Sequence, residues 1–185
     1  MLEELRKCLK NKNDKTIFDI LVYGSSVKGK DKPNDLDILV IFRRGNLKER
    51  LLKIQEIKND FKSINKKIDI KGILLEELFY ANFFGRSGVF IEGISLIDEK
   101  KFSEKINFSG FSLFVYSLKE KSHTEKVKFN YILSGRNSKG IIELFNGLHI
   151  APGVIQIPIV KSLEFEEILK KNNVVFEKKN ILVER

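Results

Sequence analysis

A chain of 185 residues, 42% hydrophobic and 32% charged, has enough apolar material for a packed core, which excludes a disordered polymer, and is too short for a large multidomain enzyme. Its formal charge of +9 favours an anionic partner, a phosphate-bearing substrate or a nucleic acid, without choosing between them. The single cysteine, Cys8, and two histidines, His123 and His149, leave no material for an internal disulfide or a Cys/His zinc cluster, and no window approaches the ~18 to 20 apolar residues of a membrane span, so a cytoplasmic protein is expected.

Residues 1–12 interleave Leu2, Leu5 and Leu9 with charged side chains, the pattern of a short amphipathic helix and not of a signal peptide. Residues 16–23 are β-branched and aromatic and predict a buried strand that stops at Gly24-Ser25-Ser26. A polar stretch around Pro33 leads into residues 35–42, whose second half is continuously apolar, as in a strand covered on both faces. After the Gly45-Asn46 break, Leu47, Leu51, Ile54, Ile57, Phe61 and Ile64 recur at helical steps and predict a helix of about five turns. Residues 67–74 predict a third strand, 75–84 a helix, and 90–98 a turn and closing strand, so residues 1–100 are expected to form one βαβαβ-like domain.

Residues 101–185 are expected to form a smaller appendage. Strands are predicted over 111–118 and 154–160, helices over 122–133 and 140–145, a helix capped by Ser162 to about residue 172, and a strand or hairpin over 174–183. The fold class is therefore α+β throughout. Eight Lys and Arg against three Asp and Glu between residues 101 and 139 place positive charge just behind the first domain.

The segment that carries chemistry runs from Gly24 to Val40. Alternate residues of a strand share a face, so Asp35 and Asp37 project together from the strand start, and two like charges so placed call for a cation. Mg²⁺, which takes carboxylate oxygens together with substrate phosphates, could bridge them, and Asp69, between Ile68 and Ile70 on a later strand, supplies a third acid. Three acids from two strands suit a two-metal phosphoryl-type transfer. Gly24 lets backbone N–H groups approach an anion and Ser25 adds a hydroxyl donor, a cradle for a triphosphate, with Lys28 and Lys30 as further positive charge.

Gly-Ser, a nine-residue gap, Asp-x-Asp opening an apolar strand, and a lone Asp on a later strand together resemble the DNA polymerase β nucleotidyltransferase superfamily, its minimal nucleotidyltransferases in particular. The resemblance extends over residues 16–98, with Asn34 where a serine usually precedes the acidic pair and a loop one residue shorter than the commonest minimal version. It implies a mixed sheet with helices packed against it. It also implies an NTP, ATP among the candidates, bound at Gly24 and Ser25, and Mg²⁺ or Mn²⁺ held by Asp35, Asp37 and Asp69. Asp69 would help to deprotonate an acceptor hydroxyl. The acceptor is expected to be RNA or DNA; the alternatives are a protein acceptor, as in antitoxin-type enzymes that attach AMP to a partner, and a non-catalytic binding module on the same fold.

Other readings of the same residues are weaker. Gly24-x4-Gly29-Lys30 matches a P-loop until Asp31 replaces the metal-binding Ser or Thr, and Pro33 interrupts the helix a P-loop needs. Asp69 could instead be one end of a strand ion pair with Lys67 or Lys71. Arg136 and Lys139, in a glycine-bounded loop, could clamp a nucleic-acid backbone or merely join two helices. Phe79, Phe83, Phe84 and Phe90 are expected in the core, Cys8 as a small buried residue, His123 at a helix entry and His149 near the core.

Overall fold

The structure, a computed structural model, describes residues 2–10, 14–27 and 35–185. The chain divides into two units, Met1–Asn107 and Phe108–Arg185, each with its own four-stranded sheet.

In the first unit β1 (Ile17–Tyr23) pairs antiparallel with β2 (Asp35–Phe42), and β2 pairs in parallel with β3 (Lys67–Leu74). Parallel pairing needs a crossover, supplied by α1's larger successor α2 (Leu47–Asp60); α1 itself is Leu2–Cys8. β4 (Ile94–Ser95) adds antiparallel to the far side of β1, giving the order β3-β2-β1-β4. Mixed pairing of this kind is the sheet expected for a nucleotidyltransferase, and not a plain βαβαβ succession.

β2 is buried on both faces. Leu36, Ile38, Val40 and Phe42 pack with Leu5 of α1 and with Ile57 and Phe61, while Leu39 and Ile41 meet Leu78, Val89 and Phe102 on the other side. α2 begins where Asn46 accepts from the Glu49 N–H (3.0 Å) and Glu49 accepts from the Asn46 N–H (2.8 Å), a reciprocal cap. The helix lies close on β3 because Gly72 has no side chain: a Cβ there would stand 2.5 Å from Ile54 Cδ1. Its inward face is narrower than the sequence spacing suggests, since Leu47 and Leu51 are 64% and 54% exposed and Ile54 and Ile57 make the contact.

Four further expectations are corrected in this unit. The helix over 75–84 is a 3-10 turn, Leu75–Phe79, and 90–98 contains a π-helical turn, Gly88–Glu92, with only two residues of strand after it. Phe79 and Phe84 are 70% and 95% exposed, outside the core. Cys8 is half-buried and lies 3.4 Å from Ser63 Oγ.

One charge is buried in the middle of β1. Asp19, 0% exposed, accepts from Ser95 Oγ (2.6 Å) and from the Ile20 N–H (2.8 Å), and is paired with Lys105, which also pairs with Asp98. Lys105 closes α3 (Phe102–Lys105), whose Phe102 packs edge-on to Phe90 at 5.5 Å. Burial pushes the Asp19 carboxyl above its ordinary value, opposed by Lys105 and Ser95; burial would lower Lys105, but its two carboxylate partners hold it above.

The second unit is antiparallel, in the order β6-β7-β5-β8. β5 (Phe108–Ser117) lies between β7 (Val154–Pro158) and β8 (Val175–Glu184), and β6 (Leu148–Ala151) forms the edge beyond β7. Helices α4 (His123–Ser134) and α5 (Ile141–Leu144) lie between β5 and β6 in the chain, and α6 (Ser162–Lys171) between β7 and β8. Phe114, Ile155 and Ile157 of the sheet meet Phe129 and Leu133 of α4 and Phe165 and Leu169 of α6 in one core. Ser122 caps α4 with Glu125, whereas Ser162 is buried inside α6 and makes no side-chain cap. His149 stands exposed on β6, a strand absent from the sequence expectations.

Removing one partner of a buried ion pair leaves a desolvated charge, at a cost of about 3–5 kcal/mol. Lys105→Met should therefore lower unfolding stability in urea by about that amount, and adding Asp19→Asn to it should recover a large part of the loss.

Candidate active site

The acids of the first unit meet through strand register. Asp37 of β2 lies directly opposite Asp69 of β3 and directly opposite Tyr23 of β1, so the three form one row across the sheet on one face. Asp35, two residues back along β2, shares that face and is exposed. β2 buries its next residue, Leu36, and everything from Ile38 to Phe42, which fixes the acidic end of the strand at the rim.

Gly24 follows Tyr23 and opens a 3-10 turn, Gly24–Val27, beside this row. Its φ is +78°, and a Cβ built there would stand 2.7 Å from Asp37 Oδ2, so both its conformation and the approach of the carboxylate demand glycine. The π-helical turn Gly88–Glu92 backs the site: a Cβ on Gly88 would lie 3.2 Å from Tyr23 Cδ2. Of the other sequence candidates, Lys28 and Lys30 lie outside the described residues, as does the Ser25 side chain; the Ser25 backbone belongs to the turn.

Electrostatics follow from this crowding. Partial burial, then the charges of Asp35 and Asp69, hold the Asp37 carboxyl above its ordinary value of 3.8, with Lys71 opposing. The Tyr23 phenol is raised by burial and by Asp37 and Asp69, against Lys71. Lys71, on the same face of β3 as Asp69, brings Nζ to 3.5 Å from Asp69 Oδ2, with both side chains more than half exposed. The strand ion pair weighed for Asp69 from the sequence is therefore present. Among the described residues no three His, Cys, Asp or Glu side chains converge as a metal cluster. What the backbone supplies is the row itself and a glycine that leaves room against Asp37, a donor set of hard oxygens suited to Mg²⁺.

Tyr23 was not a candidate from sequence, although its place as the last residue of a buried strand before Gly24 is the signal that would have found it. Two concavities of this unit lie at the other end of β1 and β2. One, of about 490 Å³, is lined by Thr16, Phe42, Arg50 and Lys53, and another, of about 560 Å³, by Phe18, Arg43 and Lys105.

In the second unit Arg136 lies over the Tyr131 ring at 5.1 Å and Lys139 pairs with Glu143 at 2.7 Å. Gly135, at φ +81°, ends α4 and turns the chain into this loop.

A mixed sheet carrying paired acids at the start of its central strand, a third on the parallel neighbour and a glycine turn at the end of the antiparallel one is consistent with a nucleotidyltransferase domain of polymerase β type. Residues 2–84, within the first unit, match the family model of the nucleotidyltransferase domain. A search of curated proteins found no match to the chain. Among the described residues no helix is long and apolar enough to cross a membrane.

A carboxyl held above its unfolded value costs stability while ionised, and that cost disappears as the pH falls through its native value. Asp37→Asn should therefore raise the thermal midpoint of metal-free protein at neutral pH, and the gain should shrink as the pH falls into and below the ordinary carboxylate range (about 4) and Asp37 takes up its proton; thermal melts of both proteins across that range check it.

Proposed function

We propose that the protein transfers a nucleoside monophosphate from an NTP to a hydroxyl on RNA or DNA, releasing pyrophosphate. The observation that carries this reading is the Asp37–Asp69 register with Asp35 on the same face and Gly24 against Asp37. Asp35, Asp37 and Asp69 would hold Mg²⁺ or Mn²⁺, which supplies charge neutralisation of the triphosphate and lowers the pKa of the attacking hydroxyl. Gly24 and Ser25 receive the phosphates on backbone N–H groups of the turn that follows β1. Asp69, half exposed at the outer end of the row, takes the acceptor hydroxyl's proton at its carboxylate. Lys71 offsets part of the negative charge gathered on this face, and the buried body of Tyr23 keeps water from one side of Asp37.

The nucleic-acid acceptor is supported by the net charge of +9 and by an exposed Tyr131 with Arg136 stacked on it, an arrangement that suits bases and phosphates together. Lys139, tied to Glu143, offers less.

Incubation with each α-labelled NTP, Mg²⁺ or Mn²⁺, and separate RNA, DNA and protein pools should label a nucleic acid. Asp35→Asn and Asp37→Asn should each reduce labelling by about a thousand-fold or more with the fold retained, and Gly24→Ala by at least about ten-fold through the crowding of Asp37. Undiminished transfer by Asp37→Asn defeats the mechanism, and label appearing in protein moves the acceptor to that class. Oligonucleotide affinity should fall linearly on a log–log plot against salt, as counterion release requires; salt-independent binding would exclude this acceptor surface.

A further inference from the structure

β8 is the outermost strand of the second sheet, and among the described residues no strand pairs with its outer edge. Exposed edges are ordinarily blunted by shortness, bulges or proline. β8 has none of these: it runs ten residues, contains no proline, and keeps an unshifted register with β5 from Val175↔Ser117 to Glu184↔Phe108. Its charges are Glu177, Lys178, Lys179 and Glu184, followed by Arg185. Two adjacent lysines would deter most partners, including another copy of the strand in most registers.

One register removes that deterrent. If two copies of β8 pair antiparallel about Ile181, Glu177 of each stands opposite Arg185 of the other, and Lys178 opposite Glu184. Shifting by one residue sets Glu177 against Glu184 in one direction, and in the other sets Lys178 against Arg185 beside Lys179 against Glu184, so that attraction and repulsion offset each other. Such a shift also turns one sheet over, because side chains alternate between faces. Shifting by two sets Lys179 against Arg185 in one direction and leaves no opposite charges paired in the other. The Ile181 register is thus the complementary one, and it also keeps the helical layers of both copies on the same side of the joined sheet. Lys178 marks that side: it lies over the Phe114 ring at 5.6 Å and pairs with Glu166 of α6 at 3.0 Å, whereas Glu177 and Arg185 fall on the opposite face, alternating with it.

We propose that a second copy of this chain occupies the outer edge of β8, joining two four-stranded sheets into one continuous sheet about a two-fold axis at Ile181. Pairing through one strand edge buries little area, so the association is in the micromolar range, Kd about 10⁻⁵ M.

Sedimentation equilibrium of the full chain from about 1 to about 200 μM brackets that value and should show a monomer–dimer equilibrium. Glu177→Lys, which sets like charges opposite each other twice per dimer, should weaken association by at least about ten-fold, and Glu177→Lys/Arg185→Glu should restore it to within about three-fold. In a Cys8→Ser background, Ile181→Cys should cross-link to a covalent dimer under mild oxidation, and Leu182→Cys should not. A monomer at every concentration overturns the proposal. So does a dimer indifferent to Glu177→Lys, or a cross-link from Leu182→Cys and not from Ile181→Cys. Both charge positions are exposed, so that series stands even if the cysteine variants fold poorly.

Discussion

The first unit depends on the burial of one strand from both sides. Leu36, Ile38, Leu39, Val40, Ile41 and Phe42 are each at most 1% exposed, and burying such side chains contributes roughly 1.5–3 kcal/mol apiece. Holding like charges a few ångströms apart costs on the order of 1–4 kcal/mol per pair at a protein surface. Core packing therefore outweighs the mutual repulsion of Asp35, Asp37 and Asp69, and the strand cannot slip to relieve it without exposing its apolar side chains. Register is the link between packing and chemistry here: the same alignment that fills two cores lays Tyr23, Asp37 and Asp69 in a row.

How much of this could be read from sequence depended on how strongly each segment's environment marked it. β2 was legible because two-sided burial leaves an uninterrupted apolar run, and β3 because alternation is a local signal. The acids were legible through spacing, whereas their partners were less so. Tyr23 gains its role only from lying opposite Asp37, a pairing no local pattern records. β6 escaped notice because an edge strand exposed along its whole length carries no alternation. The π-helical turn was likewise hidden, since Gly88–Glu92 is shaped by packing against Tyr23 and Leu21, and its composition resembles a strand. α2 misled in the other direction: Leu47 and Leu51 fit a helical face that the sheet does not reach.

The two units use charge differently. In the first, acids are gathered on one rim and one carboxylate is locked in the core by Lys105. In the second, half-buried Glu166 of α6 pairs with exposed Lys170, a turn on in the same helix, and with half-buried Lys178 of β8. Burial raises Asp37, while Lys170 and then Lys178 draw Glu166 below its ordinary value, so the same residue class is poised on the rim of one unit and merely stabilising in the other.

The lock on Asp19 reaches forward in the chain. Lys105, which neutralises it, Ser95, which donates to it, and Asp98, which pairs with Lys105, all lie beyond residue 84, where the match to the nucleotidyltransferase domain ends, and Leu96 and Phe102 fill the two cores from the same stretch. Excising the recognised segment by itself would leave a bare anion in the centre of β1 and a gap on either side of the sheet. The smallest autonomous piece of this unit thus extends through α3, about twenty residues past the end of the matched segment.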